Sequence, residues 1–178
     1  MCRVVRERRP GRDVLVVTEV PLATSADVLV ACQAAHAAQP GWAAVPAPAR
    51  GRVIAQVGRL FEANKEALSR LVTREMGKVY AEALGDVQEV IDTCDFFLGE
   101  GRRLYGQTIP SEMPDKQLFT FRVPVGTAMI ITAGNFPAAV PSWYIIPALV
   151  TGNTIVWKPA EQTTAIAQAM AEIEAMPT

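Results

Sequence analysis

The hydrophobic pattern divides the first 105 residues into a short strand followed by helices. Residues 14–17 are apolar and β-branched, which predicts a strand. Thr24 or Ser25 then caps an alanine-rich helix that runs to about Ala38. Residues 40–48 are interrupted by prolines, which do not sustain a helix, so they are predicted to form a loop.

Two longer helical stretches follow, separated by Gly77. Apolar residues recur at steps of three and four from about residue 49 to 75 and from 80 to 104, which is the spacing of helices with one buried face. Cys94 lies on such a face, so we expect a small buried hydrophobe rather than a nucleophile. The carboxylates on the opposite face of the second stretch are expected to be solvated; they are Glu82, Asp86, Glu89 and Asp92.

After residue 105 the pattern changes to turns and strands. Residues 117–123, QLFTFRV, alternate in character and predict an exposed strand that can pair. From residue 126 the order strand, turn, helix, strand, helix predicts a βαβ unit. Its two strands are almost continuously apolar, as expected of parallel strands buried on both faces. We divide the chain into a helical part, a linker with strands and an incomplete βαβα unit, at residues 1–105, 106–125 and 126–178.

Composition narrows the classes of protein that this pattern can represent. Half of the 178 residues are hydrophobic, 20% are charged and the net charge is -1, which excludes a disordered chain and argues against a dedicated nucleic-acid binder. The three cysteines are too far apart for a CxxC metal or redox pair, and no apolar run is long enough to cross a membrane. We expect a cytoplasmic protein whose basic N-terminus is solvated and frayed rather than a transit peptide. His36 is expected to be an ordinary helical residue.

Polar side chains follow both strands of the predicted βαβ unit, where ligands gather in open α/β sheets. Asn135 comes just after the first strand, ahead of Pro137. Its side-chain amide is suited to stabilise an oxyanion that develops on a carbonyl oxygen. The alternative is an asparagine that only stabilises the turn.

Lys158 and Glu161 follow the second strand and flank Pro159. Together an ammonium and a carboxylate suit the two hydroxyls of a ribose, and a surface ion pair is the competing interpretation. The chain has neither a GxGxxG turn after the first strand nor a GxxxxGK[ST] phosphate loop. The residues alone therefore predict a βαβ site of nucleotide-binding type and nothing more specific.

Several segments resemble the aldehyde dehydrogenase superfamily, in the order in which that family has them. They are APARGRVIAQVGRLFEAN, REMGK, PVGTAMIITAGNFPAAV and PALVTGNTIVWKPAEQT. The resemblance covers essentially the whole chain and implies an incomplete Rossmann-like parallel sheet with oligomerisation-type strands before it. Within the superfamily, GDVQEVIDTCDFFLGEGRRL, IPSE and NFPAAV look most like the antiquitin group, which oxidises α-aminoadipic semialdehyde or its cyclic piperideine form.

The resemblance implies roles for the residues at the strand ends. Asn135 takes the oxyanion-hole position, and Lys158 and Glu161 resemble the pair that binds the adenosine ribose. The segment that borders the cofactor consists of Ile131, Thr132 and Ala133. Glu161 would repel a 2′-phosphate, so NAD is expected, with NADP as the alternative. Many relatives have Pro-Trp before the Asn where this chain has Ala-Gly, which affects the expected shape of the pocket floor.

The family's glycine-rich turn, general-base glutamate and nucleophilic cysteine would all lie beyond residue 178. None of the three cysteines present matches the nucleophile. We therefore expect the N-terminal part of an NAD(P)-dependent aldehyde dehydrogenase that is inactive by itself. The alternative is a noncatalytic assembly or regulatory subunit that pairs, through residues 117–123, with its own kind or with a full-length relative. No metal site is expected.

Overall fold

A computed structural model describes residues 2–7 and 15–175, with side chains from residue 16 onward. The chain begins with an antiparallel pair of strands, β1 (Cys2–Glu7) and β2 (Leu15–Pro21). The predicted strand at residues 14–17 is therefore present and longer than expected, although Val14 lies outside the described residues. The expectation of a frayed start is wrong for residues 2–7, because β2 provides them with a hydrogen-bonding partner.

Helix α1 spans Ser25–Ala44, and Thr24 caps it as predicted. The Thr24 hydroxyl accepts from the Asp27 N–H, while the Asp27 carboxylate accepts from the Thr24 N–H at 2.7 Å. These reciprocal bonds form a capping box, which satisfies backbone donors at the start of the helix. His36 is exposed on this helix, as an ordinary helical residue would be.

The prediction of a loop at residues 40–48 is wrong, because α1 continues through Pro40 to Ala44. The end of the helix is held by bonds to distant parts of the chain. The Trp42 indole N–H donates to the Leu149 carbonyl at 2.8 Å, and the Gln39 amide donates to the Gly152 carbonyl at 3.3 Å. These contacts stabilise a helical conformation that the local sequence disfavours.

Helices α2 (Ala47–Ala63), α3 (Lys65–Met76) and α4 (Tyr80–Glu100) contain most of the core. They occupy the two predicted helical stretches, with Gly77 ending α3 in the left-handed conformation at φ 77°. The apolar faces are buried largely as predicted, although Leu98, which the helical spacing places on the apolar face of α4, is 38% exposed. The fully or nearly fully buried side chains on these helices include Ile54, Val57, Phe61, Leu68, Val72, Ala83, Val87, Val90, Ile91 and Cys94.

One of the four carboxylates predicted to be solvated on α4 is buried. Glu82, Glu89 and Asp92 are exposed, but Asp86 is not. The prediction was wrong for Asp86 because it faces another element of the fold instead of water.

The linker contains a short antiparallel pair, β3 (Thr108–Ile109) with β4 (Leu118–Phe119). The predicted strand at residues 117–123 is therefore paired over only two residues. Beyond it the chain carries three exposed apolar side chains, Phe121, Val123 and Val125. An exposed apolar row of this kind is typical of a surface that another element covers.

The last part of the chain forms the predicted βαβ unit. Its elements are β5 (Thr127–Ile131), α5 (Ala139–Val150), β6 (Thr154–Lys158) and α6 (Thr164–Ala175), and the two strands pair in parallel. The expectation that both strands are buried on both faces is wrong. Met129 and Ile131 are 55% and 68% exposed, since no described element covers that face of β5.

A hydrophobic cluster joins the helical part to the βαβ unit. Side chains of α2, α3 and α4 pack with Ala138, Ile146 and Val150 on one side and with Ile166 and Met170 on the other. The fold is thus α/β, with helices leading into a short parallel sheet of Rossmann type, as predicted. None of the described helices has the length and apolar character needed to span a membrane.

Candidate functional site

The predicted site residues lie at the adjoining carboxyl ends of β5 and β6. Ile131 pairs with Lys158 in the parallel register, and the Thr132 N–H donates to the Lys158 carbonyl at 3.3 Å. Thr132 is buried, and its hydroxyl accepts from the Trp157 indole N–H at 3.0 Å. Ile131 and Ala133 are exposed on either side of it. The segment that leads to Asn135 is therefore fixed at Thr132.

Asn135 is exposed in a bend between β5 and α5. The preceding Gly134 packs closely against the turn after β6. A Cβ at Gly134 would lie 3.1 Å from the Ala160 Cβ and 3.3 Å from the Thr163 Cγ2. The Ala-Gly pair before Asn135 thus lets the two strand-end loops touch. Pro137 lies in the turn before α5 rather than in its first turn, because the helix begins at Ala139.

Residues 132–138 connect β5 to α5 and form the Asn135 loop. This loop is held in place by a buried ion pair that the sequence did not reveal. The Ala139 N–H donates to Asp86 Oδ1 at 2.8 Å. Lys78 Nζ lies 3.3 Å from Asp86 Oδ2, and these two side chains are 7% and 0% exposed. Lys78 Nζ also lies 3.7 Å from the centre of the Phe136 ring, a distance at which a cation is attracted to an aromatic face.

A second buried carboxylate caps the helix that follows β6. Glu75 Oε1 and Oε2 accept from the N–H groups of Ala165 and Ile166, at 2.6 and 2.9 Å. Burial raises the pKa of Glu75, and these amide hydrogen bonds oppose the rise. Glu75 and Lys78 both belong to the REMGK segment at residues 74–78. The resemblance of that segment to a known family did not indicate what either side chain contacts.

Lys158 and Glu161 are both exposed at the end of β6 and in the turn after it. Their chemistry, an ammonium and a carboxylate at the carboxyl end of a parallel strand, fits the two hydroxyls of a ribose. The first turn of α5 is less suited to a phosphate, since its Ala139 amide is already bound to Asp86.

The cysteine side chains that the structure describes are poor candidates for a nucleophile. Burial, with the neighbouring carboxylates Glu174 and Asp95, raises the pKa of Cys94 to about 12, so its thiol stays protonated near neutrality. Cys32 is partly buried on α1. The side chain of Cys2 lies outside the described part. Among the described residues, no group of three or more His, Cys, Asp and Glu side chains is placed to hold a metal ion.

Comparison with known proteins gives consistent matches over nearly the whole chain. Residues 5–176 match the aldehyde dehydrogenase family. The chain is 44% identical over 158 residues to aldehyde dehydrogenase family 7 member A1 of Pisum sativum, covering 89% of this chain and 31% of that protein. It is 43% identical over 132 residues to α-aminoadipic semialdehyde dehydrogenase of Mus musculus, covering 74% and 24%. The chain thus spans about a third or less of the length of these curated relatives.

Solved structures show the same likeness at the level of the fold. An NADP-dependent enzyme of Escherichia coli superposes with a TM-score of 0.90 at 35% identity, over 99% of this chain and 37% of that one. An NAD-dependent benzaldehyde dehydrogenase of Corynebacterium glutamicum gives 0.85 at 29% identity, over 98% and 39%. The predicted resemblance, including the likeness to the antiquitin group, is confirmed by these matches. The chain belongs to the aldehyde dehydrogenase family.

Proposed function

We propose that this chain is the N-terminal part of an NAD(P)-dependent aldehyde dehydrogenase that oxidises an aldehyde to a carboxylate. The observation that carries the proposal is the position of Asn135. Its side chain is exposed directly after the parallel strand β5 and beside the end of β6, where α/β sheets bind their ligands. In our proposal the division at residues 1–105, 106–125 and 126–178 separates the helical, oligomerisation and cofactor-binding parts.

Asn135 would stabilise negative charge on the aldehyde oxygen. When a thiolate attacks the aldehyde carbon, a C–S bond forms and the carbonyl π electrons move onto oxygen. The Asn135 amide N–H can donate to that oxygen without losing a proton. Removing one such donor typically costs about 3 kcal/mol of transition-state stabilisation.

Lys158 and Glu161 would bind the adenosine ribose of the cofactor, with Ile131, Thr132 and Ala133 bordering it. The bound cofactor would accept the hydride that leaves the substrate carbon. The negative charge of Glu161 favours the unphosphorylated ribose of NAD over NADP. Among the related structures, one protein is described as NADP-dependent and another as NAD-dependent, so family membership alone does not decide between them.

Titration of the purified chain with NAD and NADP tests the cofactor assignment. We expect NAD to bind more tightly than NADP. Glu161→Gln should reduce the difference in affinity between the two cofactors, and Lys158→Met should lower the affinity for both. Glu172→Gln, which removes an exposed carboxylate on α6, is the matched control. Tighter binding of NADP, or an unchanged preference in Glu161→Gln, would contradict the assignment.

The cysteine side chains that the structure describes are poor candidates for the nucleophile, so we propose that these residues alone do not oxidise aldehydes. Translation of the coding DNA beyond codon 178 in all three forward frames tests this part. A glycine-rich turn, a glutamate and then a cysteine, in that order, would support it. Unrelated sequence would favour the noncatalytic assembly subunit instead.

The substrate proposal follows from the likeness to the antiquitin group and to a relative named for α-aminoadipic semialdehyde. We expect the complete enzyme to oxidise this aldehyde with a higher kcat/KM than an aliphatic aldehyde of the same length without the amino acid group. Equal values for the two aldehydes would count against it.

The alternative of an assembly subunit has one supporting observation, the exposed apolar row Phe121, Val123 and Val125. Such a row fits a homo-oligomer or association with a full-length relative. Coexpression with a full-length aldehyde dehydrogenase, with and without Phe121→Ser, tests it. We expect copurification that the substitution weakens; the absence of association in both cases would refute the alternative. A cytoplasmic location remains part of the proposal.

A further inference from the structure

The Asn135 loop is held at four positions around an exposed side chain. Thr132 is fixed by Trp157, and Gly134 is in close contact with the turn after β6. Phe136 lies against the Lys78 ammonium, and Ala139 donates to Asp86. Asn135 itself is left exposed in the middle of these contacts.

Two of the four contacts depend on one buried ion pair. Lys78 and Asp86 face each other at 3.3 Å, and each also contacts the loop, Lys78 through the Phe136 ring and Asp86 through the Ala139 amide. Taking two charges out of water is costly, and well-packed apolar residues would often stabilise a fold equally well. A buried pair at this place is therefore better explained by what it orients than by overall stability.

The capping of α6 provides an internal comparison. Glu75 and Asp86 each cap a helix that follows a parallel strand. Glu75 does so with both oxygens on backbone N–H groups, whereas Asp86 uses one oxygen for an N–H group and the other for Lys78. A buried carboxylate can thus cap a helix without a lysine partner, as Glu75 does. What Lys78 adds at α5 is its contact with the Phe136 ring.

We propose that Lys78 is a positioning residue, which uses Asp86 and the Phe136 ring to hold the loop that presents Asn135 to the substrate oxygen. The inference rests on the proposed role of Asn135. The anchoring itself is a property of the chain that can be measured without catalysis. Lys78 and Asp86 lie under the loop and contact neither substrate nor cofactor in this proposal.

Amide hydrogen exchange and the side-chain NH₂ signal of Asn135, measured by NMR on the 178-residue chain, test the proposal. In Lys78→Met we expect the Ala139 amide to exchange at least tenfold faster, while the amides of Ala165 and Ile166 change no more than global unfolding requires. Glu75→Gln is the matched control, because it removes the corresponding charge at α6. It should accelerate exchange at Ala165 and Ile166 instead.

Two substitutions at Phe136 isolate the contact with Lys78. Phe136→Leu removes the aromatic face, and we expect the Asn135 side-chain signal to shift and broaden. Phe136→Tyr keeps the face and should restore the wild-type signal. Phe136 is 40% exposed, so both variants should fold even where Lys78→Met does not, and they decide the question by themselves.

The proposal is overturned if Phe136→Leu leaves the Asn135 signal unchanged, or if Phe136→Tyr behaves as Phe136→Leu does. It is also overturned if Lys78→Met accelerates exchange at Ala139 and Ala165 equally, since the ion pair would then serve global stability only. Failure of both NAD and NADP to bind, with the exchange results as expected, would refute the proposed function and leave the anchoring intact.

Discussion

Glu174 places a carboxyl group in an apolar groove, which makes stability depend on pH in a direction that can be tested. The groove has a volume of about 390 Å³ and lies between α6 and side chains that include Trp42, Val57, Ile145 and Leu149. Burial raises the pKa of Glu174 from 4.5 to about 7. The nearby Cys94 thiol, with a pKa of about 12, stays uncharged throughout this range.

The direction in which stability changes with pH follows from which state, folded or unfolded, binds the proton more tightly. A raised pKa means that the folded chain holds the proton more tightly than the unfolded chain does, so stability falls as the pH rises from about 4.5 to about 7 and is level above that. The difference between the two values corresponds to at most about 3.4 kcal/mol. Because the side chain is only partly buried, we expect about 1 to 2 kcal/mol to be measured.

Urea unfolding of the wild type and Glu174→Gln, followed by far-UV circular dichroism from pH 4.5 to 8.5, measures this effect. The variant should be more stable by about 1 to 2 kcal/mol above pH 7.5 and nearly equal to the wild type at pH 4.5. Glu172→Gln removes an exposed carboxylate from the same helix and is the control. A difference that does not change with pH, or a variant that is less stable at pH 8, would refute the assignment of burial as the cause.

Three further substitutions test packing and polar contacts by urea unfolding. Gly58→Ala should destabilise the fold by about 1 to 3 kcal/mol, because its Cβ would lie 2.8 Å from the Cys94 Cβ. Gly85→Ala, whose Cβ would have nothing within 4 Å, should instead stabilise the fold by about 0.5 to 1 kcal/mol. Equal effects of the two substitutions would contradict the close contact between α2 and α4. Arg50→Met should cost about 3 kcal/mol, because the buried guanidinium donates to the carbonyls of Val150, Ala43 and Val45. The exposed Arg52 on the same helix is its control, and a loss in Arg50→Met no larger than in Arg52→Met would show that these bonds contribute little.

The sequence predicted those elements whose hydrophobic period is set locally. The periodicity of α2, α3 and α4 and the apolar runs of β5 and β6 are strong over many residues, and the structure confirms these elements. The capping of α1 by Thr24 was also predictable, because a capping box involves residues only three positions apart. Short-range geometry determines each of these features.

The wrong predictions concern residues whose partners lie far away in the chain. Pro40 disfavours a helix, yet the bonds of Gln39 and Trp42 to carbonyls more than 100 residues later keep α1 helical. Asp86 is polar and lies at a position that looked solvated, but its partner is the Ala139 amide, 53 residues further on. No periodicity within one segment carries information about such pairs.

The candidate site was predictable in part for the same reason. The position of Asn135 after one strand and of Lys158 after the next follows from the βαβ order, and the parallel register brings the strand ends together. The roles given to these residues are still proposals, which the cofactor titrations test. Lys78 was not predicted as an anchor, because its contact with Phe136 depends on how α4 packs beneath α5.

The capping carboxylates also limit how this βαβ unit can hold a dinucleotide. In the usual Rossmann arrangement the cofactor's phosphates take the free N–H groups at a helix N-terminus. In α5 the Ala139 N–H is bound to Asp86, the Val140 N–H to the Phe136 carbonyl, and Pro141 has none. In α6 two of the first-turn N–H groups are bound to Glu75.

A phosphate placed at either helix start would have to displace a buried carboxylate and would meet its negative charge. We therefore expect Lys158 and Glu161 to contribute to binding of the ribose, and the pyrophosphate to be bound by groups other than these helix ends. The absence of a GxGxxG turn after β5 fits this arrangement, because that motif brings backbone close to a phosphate that α5 does not bind. Titration of the chain with adenosine and with ADP distinguishes binding of the phosphates at these helix ends from binding by groups elsewhere. Similar affinities for both are expected of this chain, whereas a large gain from the two phosphates would contradict the conclusion that the helix ends are already filled.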